Sequence, residues 1–154
     1  MIKPLHVGVC YRAKSLTKSL ISYCQSYQFE RANAWYSSYG KPNEQVQILI
    51  YLGRSYANDG DYDKAMSIYT NALEIGEKNK LYNLVGYTYS YIGDLYREKA
   101  MRTEAIKKYE MAADNFKKEN NTDSYACALR DMGREYACTD SISRALKFCL
   151  WQIL

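Results

Sequence analysis

Residues 91–112 of the chain read YIGDLYREKAMRTEAIKKYEMA, and this stretch has counterparts forty residues upstream and forty residues downstream. In each copy a large apolar residue precedes a glycine, a tyrosine follows three residues after the glycine, and an alanine follows twelve residues after it. A pattern that returns at a constant spacing of this length indicates an array of similar structural units. The glycines and alanines that define the copies are Gly53, Gly93, Gly133, Ala65, Ala105 and Ala145.

The spacing within each copy is that of two antiparallel helices packed against each other. Glycine in the first helix and alanine in the second leave room where the two backbones approach, and larger residues one turn away fill the surrounding space. One pair cannot bury its apolar face alone, so we expect the pairs to stack into an array. Between two of the helices, Gly60 suits a left-handed helix end and Asp61 can cap the helix that follows.

We predict eight helices, arranged as four pairs. A fainter fourth copy lies upstream of the others, where Leu20 stands in place of the glycine, and Lys41-Pro42-Asn43 marks the clearest break between units. The predicted helices cover residues 11–26, 28–39, 45–58, 62–78, 82–99, 102–119, 123–138 and 141–153. We therefore divide the chain into an irregular segment, 1–10, and one helical repeat domain, 11–154, with units at about 11–40, 45–80, 82–120 and 123–154.

The repeated residues resemble the tetratricopeptide repeat (TPR) family, whose pattern is a large residue, Leu-Gly, Tyr, Ala, an aromatic residue and Ala. The units around Gly53 and Gly93 match this pattern throughout when conservative exchanges are allowed, and the unit around Gly133 matches it at fewer positions. A period of forty residues exceeds the family's usual value of about 34, which predicts longer helices. The resemblance implies an all-α fold, a right-handed superhelix of stacked antiparallel helix pairs, serving as a non-catalytic scaffold for protein–protein interaction.

In this family the first helix of each pair lines a concave groove that holds a peptide. The register of the repeat implies which residues of this chain lie there. Arg130 and Arg134 are one helical turn apart, a spacing that can present two guanidinium groups to carboxylates. We therefore expect a protein or peptide partner, and an acidic one in particular. The implied groove residues are Arg54, Asn58, Tyr87, Tyr91, Asp94, Arg97, Arg130 and Arg134.

The sequence leaves a second interpretation of the arginines open. Asp94, Glu98 and Asp131 lie among them and can neutralise them, which would leave a solvated face without a strong ligand. The tyrosines at repeat positions are predicted to pack in the core with their hydroxyl groups at its rim. These tyrosines are Tyr56, Tyr69, Tyr96, Tyr109 and Tyr136.

The last predicted helix carries two apolar stripes, of which its own pair can bury one. The second stripe consists of Phe148, Trp151 and Leu154. Because repeat arrays usually close with a polar helix, we predict that this stripe mediates self-association, as in a homodimer, or contacts a further C-terminal effector domain. The alternative function is therefore that of a structural or regulatory repeat region.

The sequence argues against enzymatic chemistry and bound cofactors. It contains no phosphate-binding loop, no dinucleotide fingerprint and no HExxH helix, and its one histidine is His6. The five cysteines lack the paired spacing of a zinc site and are interpreted as small buried apolar residues. We therefore expect no catalytic residue, no metal and no cofactor.

Composition and charge argue against two further classes of protein. A net charge of +4 without a dense basic stripe does not favour nucleic-acid binding. No apolar run approaches the roughly 20 residues that a membrane-spanning helix needs, and the N-terminal residues lack the pattern of a signal peptide. We therefore expect a protein that binds neither nucleic acid nor membrane and is cytoplasmic by default, with an extracytoplasmic location as the alternative if a further segment precedes this sequence.

Overall fold

The computed structural model describes residues 27–35 and 41–138 of the chain. The described part of the chain is a succession of helices joined by short turns, as the repeat pattern predicts. Helix α1 covers residues 27–35, and the complete helices that follow are α2 (Pro42–Asn58), α3 (Tyr62–Lys78), α4 (Tyr82–Glu98), α5 (Arg102–Lys118) and α6 (Thr122–Cys138). The predicted helices 11–26 and 141–153, and the predicted irregular segment 1–10, lie outside the described residues.

The forty-residue period arises from the lengths of the helices and turns. Helices α2 to α6 each have 17 residues, and three residues join each of them to the next. Two such helices and two such turns make up one period. Helices α3 to α6 begin and end within one residue of the predicted bounds, and their uniform length confirms the expectation of long helices.

Helix α2 begins three residues before the predicted start at residue 45, because Pro42 and Asn43 belong to the helix and not to a break between units. Lys41 is the N-cap, in extended conformation, and Pro42 occupies the first turn. Proline fits there because its fixed φ is helical and its missing N–H has no partner within the helix at that position. The next helix is capped as predicted, since the Asp61 carboxylate accepts a hydrogen bond from the Lys64 N–H at 3.3 Å.

Each turn contains one residue with positive φ, and these residues recur every twenty positions. Gly60 has φ +83°, and Lys80, Ala100 and Asn120 have φ between 55° and 56°. In each turn the following N–H donates back across five residues to a helix carbonyl, as Met101 N–H does to the Tyr96 oxygen at 2.9 Å. This is the hydrogen bond of a Schellman motif, which ends a helix through one left-handed residue. The sequence predicts this conformation at Gly60 only.

Two glycines of the repeat, Gly53 and Gly93, provide space for tyrosines of the second helix. A Cβ atom added to Gly93 would lie 2.6 Å from the ring of Tyr109, and one added to Gly53 would be equally crowded by Tyr69. Both rings are almost completely buried, which confirms that these tyrosines are packing residues. A further close approach joins Gly86 to the Phe116 ring.

Successive pairs stack through the helices that face each other. Between the first and second complete pairs, Leu95 and Ile92 of α4 are buried in one apolar cluster with Tyr69. At the next boundary Glu135 takes the place of Leu95, and its buried carboxylate pairs with Arg102 at 3.2 Å. An ion pair between a buried carboxylate and a partly exposed arginine therefore replaces an apolar contact at the second boundary.

Candidate protein-binding groove

The predicted groove residues lie on α2, α4 and α6, the first helices of three successive pairs. Helix α2 contacts α4 directly. Helices α4 and α6 are joined by a hydrogen bond of 2.8 Å between the Tyr87 hydroxyl and Ser124 Oγ. We call the surface that these three helices share the first-helix face.

A pocket of about 380 Å³ lies on this face between α2 and α4. Five of the eight predicted groove residues line it, and Tyr62, Tyr69 and Glu98 contribute further polar groups. We call it the α2–α4 pocket. The predicted residues that meet there are Arg54, Asn58, Tyr91, Asp94 and Arg97.

Arg54 has an unusual position in this pocket. Its guanidinium carbon lies 5.1 Å from the centroid of the Tyr91 ring, and that ring stacks on Tyr69 with 6.0 Å between centroids. Such a stack holds the planar cation without neutralising it. Within residues 27–35 and 41–138 no carboxylate comes within ion-pair distance of Arg54. The exposed guanidinium can therefore bind an anionic group.

Arg97 is held differently, by two carboxylates of its own helix. Its Nη1 lies 2.8 Å from Asp94 Oδ1, and its Nη2 lies 3.8 Å from Glu98 Oε1. The Tyr109 hydroxyl donates to Asp94 Oδ1 at 2.8 Å and accepts from Arg97 Nη1 at 3.1 Å. Burial raises the pKa of Asp94, although the Tyr109 hydrogen bond and Arg97 oppose this. Burial likewise raises the pKa of Tyr109, so its hydroxyl stays protonated and keeps donating.

Arg130 and Arg134 lie on α6 and do not line the α2–α4 pocket. Both contact one oxygen, Asp131 Oδ1, at 3.4 Å and 3.6 Å respectively. Their side chains remain 63% and 56% exposed. Two guanidinium groups that share one carboxylate leave one positive charge on this part of the face.

Tyr87 contributes mainly to packing of α4 against α5 and α6. Its ring meets Phe116 edge-on at 5.0 Å between centroids, and its hydroxyl is engaged with Ser124. The ring is 38% exposed, so one side of it still faces solvent. The predicted terminal interface of Phe148, Trp151 and Leu154 lies outside the described residues.

On this face the structure differs from the sequence-based predictions at Tyr69 and at two cysteines. Tyr69 lines the pocket besides filling the core, because its ring passes beneath Gly53 towards α4. The interpretation of the cysteines as buried is wrong for Cys127 and Cys138, which are exposed free thiols. Helix α6 instead turns Ala128 and Met132 towards the core.

A second pocket, of about 340 Å³, lies on another side of α4 and is lined by residues of α3, α4 and α5. The Tyr89 hydroxyl donates to Glu77 Oε1 at 2.8 Å there, and burial together with this bond raises the pKa of Tyr89 to about 12. Lys108 and Lys118 lie over the rings of Tyr89 and Tyr82. Four polar residues of this pocket, Glu77, Tyr89, Asn115 and Lys118, therefore already have partners.

Comparison with known proteins agrees with the helical-repeat architecture. A model of the tetratricopeptide repeat family matches residues 44–118. The chain is similar to photosystem I assembly protein Ycf3 of Acaryochloris marina, with 34% identity over 79 residues, and to that of Rippkaea orientalis, with 30% identity over 77 residues. These alignments cover 50% and 49% of this chain and 47% and 44% of the relatives, so the chain spans about half the length of the curated relatives it matches.

A solved structure shares the fold over most of the chain. The crystal structure of BtubC (BKLC) from P. vanneervenii superimposes with a TM-score of 0.64 at 19% identity, covering 93% of this chain and 62% of that one. At this level of identity the likeness concerns the fold alone. In the described part of the chain no helix is both long enough and apolar enough to span a membrane, and no group of acidic, histidine or cysteine residues is arranged to hold a metal ion.

Proposed function

We propose that the chain, whose residues 44–118 match a model of the tetratricopeptide repeat family, is a non-catalytic scaffold whose first-helix face binds an extended segment of another protein. The observation that carries this proposal is the α2–α4 pocket, where a cation without a carboxylate partner in the described part of the chain is stacked on a tyrosine. Aromatic and arginine side chains are the residues that most often anchor protein interfaces.

The relatives support the same class of function. Both relatives are named as photosystem I assembly proteins. Each alignment with them covers about half of this chain. A protein that assists assembly must hold other proteins, and a helical array offers an extended surface for that purpose.

The proposal is tested by selecting short peptides from a random displayed library on the immobilised chain and measuring their affinity by fluorescence anisotropy. We expect Arg54→Glu to weaken the selected peptides at least about tenfold, since it replaces an attraction by a repulsion in the centre of the site. The matched control is Lys107→Glu, which makes the same change of charge on α5, outside the pocket lining. Equal affinities for the Arg54 variant, the control and the wild type would place binding elsewhere and refute the proposal.

A further inference from the structure

The charges in the C-terminal halves of α2 and α4 are opposite in sign. Arg54 on α2 contributes one positive charge that no carboxylate offsets within the described residues. On α4 the cluster of Asp94, Arg97 and Glu98 contains one guanidinium that contacts two carboxylates. When both carboxylates are ionised, α4 therefore presents one net negative charge beside the positive charge of α2.

The charge changes sign again on α6. Arg130 and Arg134 share Asp131, which leaves one net positive charge. Glu135 does not alter this count, because its buried carboxylate is already paired with Arg102. Beyond the first turns, which carry Glu44 on α2 and Asp123 on α6, the first-helix face thus alternates between positive, negative and positive from α2 through α4 to α6.

We infer that the first-helix face selects an extended protein segment in which an acidic, a basic and a second acidic residue follow one another at intervals of about three residues. This inference rests on the proposed function. The interval follows from geometry, because packed helices lie about 8–10 Å apart and an extended chain advances about 3.3 Å per residue. The charge order reads the same in both chain directions, so the pattern does not depend on the orientation of the segment.

A uniformly acidic segment fits this face less well than a mixed one. Its central carboxylate would lie against Asp94 and Glu98, whose charges exceed that of Arg97 in the cluster. The spacing of the helices is close to the screening length of about 8 Å at physiological ionic strength, so a bound residue senses mainly the helix that it touches. The cluster on α4 therefore provides discrimination through repulsion, and the arginines provide attraction.

The experiment uses the peptide selected on the full chain, resynthesised with glutamate, lysine or serine in every combination at three positions spaced three residues apart. We expect the order Glu, Lys, Glu to bind about three- to tenfold more tightly than three glutamates, as expected for exchanging one exposed attraction for a repulsion. Equal or tighter binding of the uniformly acidic peptide overturns the inference and leaves the proposed function intact. If the library yields no peptide that binds, both the inference and the proposed function fail.

A charge reversal in the protein provides a second, independent test of the inference with the same peptides. With Arg54→Glu we expect the preferred residue at one terminal position to change from glutamate to lysine, while the preferences at the other two positions stay as they were. Lys107→Glu should leave all three preferences unchanged. An unaltered preference in the Arg54 variant would show that Arg54 does not select the segment, and would overturn the inference.

Discussion

Tyr69 and Tyr109 occupy the same position in consecutive pairs, but their hydroxyl groups have different surroundings. Tyr109 donates to Asp94 and accepts from Arg97, whereas the Tyr69 hydroxyl lies at the α2–α4 pocket and forms no hydrogen bond within the described residues. We predict that Tyr109→Phe lowers the free energy of unfolding by about 1–2 kcal/mol, because it removes a hydrogen bond to a charged group. Urea denaturation measures this change.

The matched control for this prediction is Tyr69→Phe. Its effect should stay within about 0.5 kcal/mol, the usual range for substitutions that break no specific interaction. Since both rings lie against a glycine in the same way, a difference between the two variants reports on the hydroxyl group alone. Equal losses of stability in the two variants would contradict the role given to the Tyr109 hydroxyl.

The environment of Asp94 predicts that the stability of the fold depends on pH. Burial raises its pKa above the ordinary value of 3.8, so the folded state binds a proton at higher pH than the unfolded state does. The stability contributed by this proton is fully present below the ordinary pKa and is lost as the pH rises through the raised pKa. The free energy of unfolding of the wild type, minus that of Asp94→Asn at the same pH, should therefore increase as the pH falls from 7 towards 4. A difference that stays constant or decreases would contradict the raised pKa.

The register of the repeat was sufficient to identify residues that line one pocket, but not to determine which of their charges are paired. Arg54 and Arg97 both follow from that register, yet one stacks on a tyrosine and the other binds two carboxylates. The difference depends on side-chain conformation and on neighbours from other helices, such as Tyr109. Sequence spacing indicates pairs within one helix, such as Asp94 with Arg97 three residues later, but it contains no information on side-chain conformation or on contacts from other helices.

At the scale of the helices and turns, the left-handed residue at each helix end leads to a prediction about stability. Ala100 has a φ of 56°, a region in which a Cβ atom is unfavourable, whereas Gly60 has a φ of 83° at the equivalent place of an earlier turn. We expect Ala100→Gly to raise the free energy of unfolding by about 1 kcal/mol and Gly60→Ala to lower it by a similar amount. Thermal and urea unfolding of both variants check this. Destabilisation by Ala100→Gly would show that the turn does not strain its alanine.

The helices themselves were largely predictable, because their repeated packing residues recur with one period. The start of α2 was missed because Pro42 reads as a break but also suits the first turn of a helix. The left-handed residues Lys80 and Ala100 were missed because neither residue type favours that conformation. They adopt it because helices of equal length with three-residue turns require a Schellman ending at the same place each time.

At the scale of the whole molecule, the predicted apolar stripe of Phe148, Trp151 and Leu154 leads to a prediction about self-association. If the stripe joins two copies, sedimentation velocity should show a concentration-dependent dimer that Phe148→Ser combined with Trp151→Ser abolishes. The removal of two large apolar side chains from an interface core weakens association strongly. A wild-type chain that stays monomeric at high concentration would contradict the dimer, and contact with a further domain would then be the remaining interpretation.

The last prediction concerns the stacking of the helix pairs. The stability of a repeat array depends on each boundary between neighbouring pairs. Glu135 is buried and pairs with Arg102, which is 40% exposed, whereas the equivalent residues of the preceding boundary, Leu95 and Tyr62, belong to one apolar cluster. Arg102→Tyr alone leaves a buried carboxylate without its cation and should lower the free energy of unfolding by about 2–3 kcal/mol, somewhat below the range for a fully buried pair.

Combining Arg102→Tyr with Glu135→Leu reproduces the residue types of the preceding boundary. We expect the double variant to be as stable as the wild type or more stable, because apolar residues often replace a buried ion pair without loss. Urea denaturation of the single and double variants measures the coupling between the two sites. If the double variant is as unstable as Arg102→Tyr alone, the loss comes from removing the arginine side chain and not from the unpaired carboxylate. Recovery in the double variant would instead show that apolar packing can join these pairs as well as the ion pair does.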